Sequence, residues 1–119
     1  MALAQTNLGA ITQIQSGAAA TVYVVSSSKT TYIKSFLIHS LNDNTDQNAE
    51  VYIVPNNSGA VGTASSVNRI AKLGIGTADT YFFECTYPIT LVADNDTIQV
   101  KNTEGSDAIN VIVLGDKEA

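Results

Sequence analysis

The chain has 119 residues, 45% of them hydrophobic and 14% charged, with a formal net charge of −5. This length predicts a single domain with one core, and this composition excludes a disordered tail. The acidic balance argues against a nucleic-acid partner, because the six lysine and arginine residues are spread along the whole chain instead of being clustered.

The termini and the cysteine content exclude several kinds of protein. A single cysteine cannot form an intrachain disulfide. The N-terminus has neither the basic start nor the continuous apolar stretch of a signal peptide. The longest apolar run, residues 18–25, is far shorter than the roughly 20 residues of a membrane helix. We therefore expect a soluble protein made without an export signal and binding no membrane.

In chain order, residues 1–10 are predicted to form an N-terminal arm, followed by a first strand that ends near Gln15. Runs of valine, isoleucine, threonine and aromatic residues between polar turns then favour strands over helices. These predicted strands are residues 21–25, 30–41, 50–54, 68–75, 80–87, 89–93, 97–101 and 108–114. The spacing predicts an all-β fold without a significant helix, an antiparallel β-sandwich or jelly roll of eight or nine strands. Residues 11–115 would form this domain, and residues 116–119 a charged tail.

Two details of this pattern lead to specific expectations. The three residues Asp94, Asn95 and Asp96 separate two β-runs and predict a hairpin there. Residues 30–41 are apolar on both faces at a period of two, which predicts a central strand. Its apolar residues divide into two sets, Ile33, Leu37 and Leu41 on one face and Tyr32, Phe36 and Ile38 on the other.

The residue types that most often act in catalysis are better explained here by structural roles. His39, the single histidine, lies in an apolar strand, and no serine lies in the Gly-x-Ser-x-Gly turn of a hydrolase. Cys85 lies among aromatic residues and is expected to be a small buried hydrophobe. No phosphate-binding glycine loop and no Cys/His metal spacing is present. The sequence predicts no enzyme and no cofactor.

Polar loops and tyrosines raise two further possibilities, a calcium site and a sugar site. The oxygen-rich loops at residues 42–46 and 94–96 could ligate calcium, but their spacing does not match a calcium loop, and Asn and Asp also suit polar turns. Glu50, Asp79 and Glu84 could supply a carboxylate pair for glycoside hydrolysis, but nothing in the sequence places two of them together. Without tryptophan, a sugar-binding platform would use the tyrosines Tyr23, Tyr32, Tyr52, Tyr81 and Tyr87.

Several segments, taken in order, resemble short virion proteins of tailed bacteriophages. They are residues 16–25 (Ser-Gly-Ala-Ala-Ala-Thr-Val-Tyr-Val-Val), 29–35 (Lys-Thr-Thr-Tyr-Ile-Lys-Ser), 50–55 (Glu-Val-Tyr-Ile-Val-Pro), 88–91 (Pro-Ile-Thr-Leu) and 96–101 (Asp-Thr-Ile-Gln-Val-Lys). The likeness covers residues 11–114. Two turns depart from the group, since three serines replace a Pro-x-Gly before Lys29 and Asn95 replaces a common glycine. Both departures remain compatible with turns.

The resemblance implies a β-sandwich that acts as a non-catalytic structural virion protein. Its most direct form is a capsid decoration or cement protein that binds the major capsid protein, or other virion proteins, as a homotrimer on the capsid surface. A tail-fibre or baseplate module and a carbohydrate-binding module are the alternatives. Candidate partner contacts are taken from the arm and from one face of the central strand: Leu3, Leu8, Ile11, Tyr32, Phe36 and Ile38.

Overall fold

The β-branched and aromatic runs form nine strands. The structure is a computed structural model that describes residues 3–8, 10–104 and 107–118, with the main chain alone for residues 3–7 and 104. The strands are β1 (Leu3–Asn7), β2 (Thr12–Ile14), β3 (Ala19–Val24), β4 (Thr31–Ser40), β5 (Gln47–Val54), β6 (Arg69–Ile75), β7 (Thr80–Leu91), β8 (Thr97–Glu104) and β9 (Ile109–Glu118). These ranges contain no helix, and therefore no helix that could cross a membrane.

The strands form two antiparallel sheets. The first sheet has the order β1-β9-β4-β7, and β2 pairs with β9 on the same edge as β1. The second sheet has the order β3-β8-β5-β6. From β2 onward, each connection crosses between the sheets except the one from β5 to β6. If β1 and β2 are counted as one interrupted strand, this arrangement is a jelly roll of eight strands. The predicted all-β sandwich or jelly roll is confirmed.

The core lies between the two sheets, where the inward side chains of both exclude water. Burial of each large apolar side chain stabilises the fold by about 1.5 to 3 kcal/mol. The first sheet contributes Ile14, Ile33, Phe36, Ile38, Leu91, Ile109, Val111 and Val113, and the second contributes Val22, Ala49, Val51, Leu73, Ile75, Ile98 and Val100.

A network of buried side-chain amides closes one end of the sandwich. Asn42, Gln47 and Asn102 are each fully buried. Gln47 accepts a hydrogen bond from Asn42 Nδ2 at 3.0 Å and donates one from Nε2 to Asn102 Oδ1 at 2.9 Å. Asn102 Nδ2 donates to the main-chain oxygens of Ile14 and Asp107, at 3.1 and 2.9 Å. Buried amides require hydrogen-bond partners. Here these partners join the segment after β4 to β2 and to the segment before β9.

The hairpin predicted at residues 94–96 is wrong. β7 ends at Leu91 in the first sheet, whereas β8 begins at Thr97 in the second, so the turn connects the two sheets. Its conformation is nevertheless that of a tight turn, since Asn95 has a φ of 68°. A short polar turn reverses the chain, but whether the flanking strands pair depends on which neighbours bury their faces.

The predicted arm and tail are also corrected. Residues 3–7 form β1, which pairs with residues 114–118 of β9, so the charged segment continues a strand. Leu8 is buried in the core. Neither terminal segment has an apolar period of its own, and the pairing uses main-chain hydrogen bonds that a side-chain pattern does not reveal. Met1, Ala2, Gly9 and Ala119 lie outside the described residues.

Candidate functional site

The outer face of the first sheet is set by an irregularity in β4. Ile33 pairs with Gly115 and Ser35 pairs with Leu114, so Lys34 is an extra residue relative to β9. Such a β-bulge changes which side chains point inward, because the extra residue shifts the alternation of inward and outward side chains by one position. After the bulge, Phe36 joins Ile33 in the core.

The partner-contact prediction for this strand is therefore wrong in part. Phe36 and Ile38 are 1% and 0% exposed and belong to the core, so they do not lie on an outward face. Tyr32 and Leu37 are half-buried and face outward instead. A strict period of two had placed Leu37 with Ile33, because it carried the alternation through the bulge without a break.

Gly115 allows the close approach of β9 to β4 at this bulge. A Cβ atom on Gly115 would collide with the main-chain carbonyl oxygen of Tyr32 and lie 3.2 Å from the Cα of Ile33. Any other residue at this position would push the two strands apart. The bulge and the glycine thus act together, and they determine which side chains of β4 face outward.

An apolar row crosses three strands on this outer face. Leu37 of β4 lies directly opposite Phe82 of β7 and Ile112 of β9, so the three side chains share a face. Ile11, just before β2, extends the row, since it lines a groove of about 240 Å³ with Leu37 and Ile112. Phe82 and Ile11 are 55% and 65% exposed. We call these four residues the apolar row.

Next to the row, β7 leaves the regular ladder. Glu84 pairs with Ser35 and Ile89 pairs with Ile33, so four residues of β7 lie opposite Lys34 alone. This excursion, residues 85–88, carries Tyr87, which is 85% exposed. The excursion contains Pro88, whose missing N–H is tolerated at bulges and at strand edges. An exposed aromatic side chain is thereby held close to the outer face.

An ion pair also lies at the bulge. The Nζ atom of Lys34 lies 2.7 Å from Oδ2 of Asp116, whose side chain is largely buried. The other carboxylate oxygen, Oδ1, is buried and has no hydrogen-bond partner among the residues that the structure describes. A buried carboxylate with an unsatisfied oxygen destabilises a fold unless its charge is paired. Lys34 supplies the opposite charge to Asp116 at the point where the strands are irregular.

The structure separates the two residues that the sequence offered for nucleophilic chemistry. His39 Nδ1 lies 2.9 Å from Oγ1 of Thr80, its neighbour across the ladder. Cys85 is five residues farther along β7, which at about 3.3 Å per residue places it about 16 Å away. Burial raises the pKa of the Cys85 thiol and so disfavours the thiolate. The pair therefore lacks the contact that activation of a nucleophile requires.

The carboxylates in the two candidate calcium loops hold the loops together. Asp46 Oδ1 accepts hydrogen bonds from the N–H and hydroxyl of Thr77, both at 3.1 Å. Asp94 Oδ1 accepts one from the N–H of Ser28 at 2.6 Å. Asp96 Oδ1 accepts two from Asn56, at 2.9 and 3.1 Å. Within the described ranges, no group of three His, Cys, Asp or Glu side chains is placed to hold a metal ion.

The hydrogen bonds of Asp96 affect its titration. Burial raises the pKa of Asp96, but hydrogen bonds from the main chain of Asn56 and Ala93 and from the Asn56 side chain outweigh burial, so the pKa is lowered. These bonds join the turn before β8 to the loop after β5. The loop carboxylates thus have structural partners of their own.

The second sheet carries a separate open cavity of about 350 Å³. Its lining includes Tyr52, Gln99 and Lys101, and Thr63 of the loop after β5 forms part of its wall. Gln99 Nε2 donates to the main-chain oxygen of Gly62 at 3.0 Å, which fixes that loop against the sheet. The cavity has polar and aromatic groups that a small polar ligand could contact.

A charged cluster lies beside this cavity. The Tyr52 hydroxyl donates to Glu50 Oε1 at 2.8 Å, and Arg69 Nη1 lies 2.6 Å from Glu50 Oε2. The hydrogen bond from Tyr52 lowers the pKa of Glu50, burial opposes this, and Arg69 lowers it further. Glu50 is therefore a charged carboxylate with two partners, and it links Tyr52 of β5 to Arg69 of β6.

Of the predicted contact residues, the structure brings Ile11 and Tyr32 to the outer face of the first sheet. It places Leu8, Phe36 and Ile38 in the core, and the side chain of Leu3 lies outside the described residues. The contact residues predicted from the sequence did not include Leu37, Phe82 and Ile112, which also lie on this outer face. The polar pair Lys34-Ser35 inside an apolar strand was the available signal, since it divides the alternation into two phases.

Comparison with known proteins adds little beyond these observations. No known protein family matches the chain, and no curated protein does. Among solved structures, a chain from the structure of the infectious bursal disease virus Gx strain matches with a TM-score of 0.34 and 10% sequence identity. The match covers 98% of this chain and 30% of that chain. At this TM-score the likeness is too distant to support an inference about function.

Proposed function

We propose that this protein is a non-catalytic structural virion protein that binds and stabilises a bacteriophage head shell as a capsid decoration protein. The observation that carries the proposal is the apolar row. Exposed apolar side chains that adjoin one another on a regular sheet face are typical of surfaces that meet another protein. The jelly roll is an arrangement found in viral capsid domains, and the likeness of residues 11–114 to short phage virion proteins points the same way.

In this proposal, the major capsid protein or another virion protein lies against the outer face of the first sheet. Ile11, Leu37, Ile112 and Phe82 would form the apolar centre, and Tyr32 its rim. The protein would be located on the virion surface as a homotrimer, and copies bound together would strengthen a modest contact through effective concentration. The proposal involves no catalysis, no cofactor, no nucleic acid and no membrane.

The test uses shells purified from the phage that carries the gene, stripped of this protein and titrated with recombinant chain. Ile11→Asp places a charge in the centre of the proposed contact but in a side chain that is 65% exposed in the free protein. We expect its affinity for shells to fall about 10-fold or more, because an apolar contact is replaced by a desolvated charge. Val67→Asp is the matched control, since Val67 is 89% exposed in a loop away from this face.

Equal binding of Ile11→Asp and Val67→Asp would refute the outer face as the shell contact. If the unmodified chain fails to bind stripped shells at all, the decoration function itself is refuted. Density for the protein on the tail instead of the head would favour the tail-fibre or baseplate alternative.

The open cavity on the second sheet supports a second candidate function, glycan binding. Tyr52, Gln99 and Lys101 provide an aromatic edge, an amide and a cation in one cavity. A glycan array at high protein concentration tests this function, and Gln99→Ala should reduce any signal. Binding that is unchanged in Gln99→Ala would exclude this cavity as the glycan site.

A further inference from the structure

We propose that two copies of this chain pair edge to edge through residues 80–84 of β7, joining their first sheets into one continuous antiparallel sheet. The pairing is two-fold and isologous, so each copy contributes the same five residues. It uses the main chain of an edge strand, whereas the shell contact proposed above uses side chains of the outer face, and Phe82 is the residue that both contacts share.

The outer edges of the sandwich differ in how they are protected. Natural edges are protected by short strands, bulges, prolines or charged side chains. One edge of the first sheet is interrupted between β1 and β2, and β3 has an irregularity between Thr21 and Tyr23. The edge strand β6 carries Arg69, Lys72 and Gly74, all exposed. Each of these three edges has a protecting feature.

The edge formed by β7 is protected only in its second half. The excursion at residues 85–88 includes Pro88 and interrupts the ladder there. Residues 80–84, Thr-Tyr-Phe-Phe-Glu, pair regularly with β4 and contain no proline, glycine, lysine or arginine. Glu84 is their single charge. This five-residue segment is therefore an open template for another strand.

The main-chain groups of β7 alternate in direction. Ser40 N–H donates to the Asp79 carbonyl oxygen at 2.9 Å, so the carbonyl of Asp79 faces β4. In an antiparallel ladder these groups alternate from residue to residue. The main-chain groups of Thr80, Phe82 and Glu84 consequently point away from β4, toward the open edge. The Thr80 N–H already donates to Asp79 Oδ1 at 2.8 Å, so the open groups are the three carbonyls and the N–H groups of Phe82 and Glu84.

The side chains of residues 80–84 are self-complementary in one register. A two-fold axis at Phe82 pairs Phe82 with its own copy, Tyr81 with Phe83, and Thr80 with Glu84. Aromatic residues then meet across the strands, and no like charges are opposed. Shifting the axis to Glu84 would place two carboxylates opposite each other. By the alternation of an antiparallel ladder, the open main-chain groups of this register form about four hydrogen bonds between the copies. Two more form if the Thr80 N–H of each copy leaves the Asp79 carboxylate.

Strand β7 is incompletely buried on both of its faces. Tyr81 and Phe83 point toward the core but are only half-buried, and Phe82 on the opposite face is 55% exposed. Phe83 is held in place by stacking on Phe36, with ring centroids 4.6 Å apart. A strand added at the edge covers both faces at once, which a partner on one face does not.

The expected association is weak. Five paired residues extend over about 17 Å, and with a sheet about 10 Å thick the contact buries on the order of 200 Å² per partner. A stable dimer buries about 800 Å² per partner. Each copy also carries a net charge of −5, so added salt should strengthen the association by screening the repulsion.

The test is sedimentation equilibrium of the full chain from about 10 µM to about 1 mM, a range chosen for a contact of this size. We expect the average mass to rise with concentration and to rise further with salt. Phe82→Pro should abolish the rise, because it removes an N–H that faces the open edge and spares the ladder with β4. Phe82→Thr keeps that N–H and should retain part of the association. Val67→Pro, in an exposed loop, should behave like the unmodified chain.

Amide hydrogen exchange identifies the surface directly. At high concentration the amides of Phe82 and Glu84 should exchange at least several-fold more slowly than at low concentration, whereas those of Tyr81 and Phe83, which face β4, should not change. The Thr80 amide is left out of the test because it is already bonded to Asp79 in the free chain. The proposal is overturned if the unmodified chain stays monomeric to about 1 mM, the limit for such a contact. It is also overturned if the amides of Phe82 and Glu84 show no concentration dependence. Shell binding by Ile11 variants is a separate measurement, so the two proposals can fail independently.

Discussion

Replacement of Phe36 by alanine tests the bulge that determines the outer face. Phe36 is 1% exposed and its ring stacks on Phe83 at 4.6 Å with an interplanar angle of 9°. Loss of a buried phenylalanine destabilises a protein by about 3 to 5 kcal/mol, including the cavity it leaves and the lost ring pair. A domain of this kind has about 5 to 15 kcal/mol in total. Phe36→Ala should therefore remove a fifth or more of the stability.

Leu37→Ala is the matched control on the neighbouring residue. Leu37 is half-buried on the outer face, so its replacement should lower the free energy of unfolding by about 1 kcal/mol. Urea unfolding followed by far-UV circular dichroism measures both variants, and the difference should appear as a lower midpoint with an unchanged slope. In thermal unfolding, Phe36→Ala should lower Tm by about 10 °C or more.

The order of these two effects is decisive. If Leu37→Ala destabilises the protein as much as Phe36→Ala or more, then the alternation continues through Lys34 without a bulge. The outer face would then consist of Tyr32, Phe36 and Ile38, as a strict period of two predicts. An intact fold with weakened assembly in Phe36→Ala would lead to the same conclusion.

Three further outcomes are expected. Gly115→Ala should destabilise the fold by about 1 to 3 kcal/mol in urea unfolding, because its Cβ atom collides with the carbonyl oxygen of Tyr32; an unchanged midpoint would contradict the close approach of β9. Asn102→Ala should cost about 3 kcal/mol in the same assay, because three hydrogen bonds of a fully buried amide are lost, one of them from Gln47. The pKa of Asp96 is lowered in the folded state, so its contribution is complete above its unfolded value of about 3.9 and is lost as the pH falls through the lower folded value. Asp96→Asn should therefore lower stability at pH 7 but reduce the loss between neutral and strongly acidic pH, and parallel stability curves for the two proteins would exclude this role.

The loop chemistry was only partly visible in the sequence. The serines before Lys29 and the residue Asn95 were expected to form turns, and Ser27, Ser28 and Asn95 do adopt positive φ values of 55°, 52° and 68°. The partners of the loop carboxylates were not visible, since Asp94 meets Ser28 and Asp96 meets Asn56 across long separations in the chain. The sequence of a polar turn is the same whether its side chains bind a metal ion, water or another loop.

The sequence by itself determined the fold class of this protein. Alternating β-branched and aromatic residues between Gly, Asn, Asp and Pro turns can bury one face per strand only in a sheet, and two such sheets bury each other. The order of the strands and the pairing of β1 with β9 were decided by the tertiary structure, because main-chain hydrogen bonds between distant segments leave no trace in the side-chain pattern. The outer face was also decided there. Lys34 adds one residue that a period of two cannot detect, Gly115 makes room for it, and together they move Leu37 to the surface and Phe36 into the core.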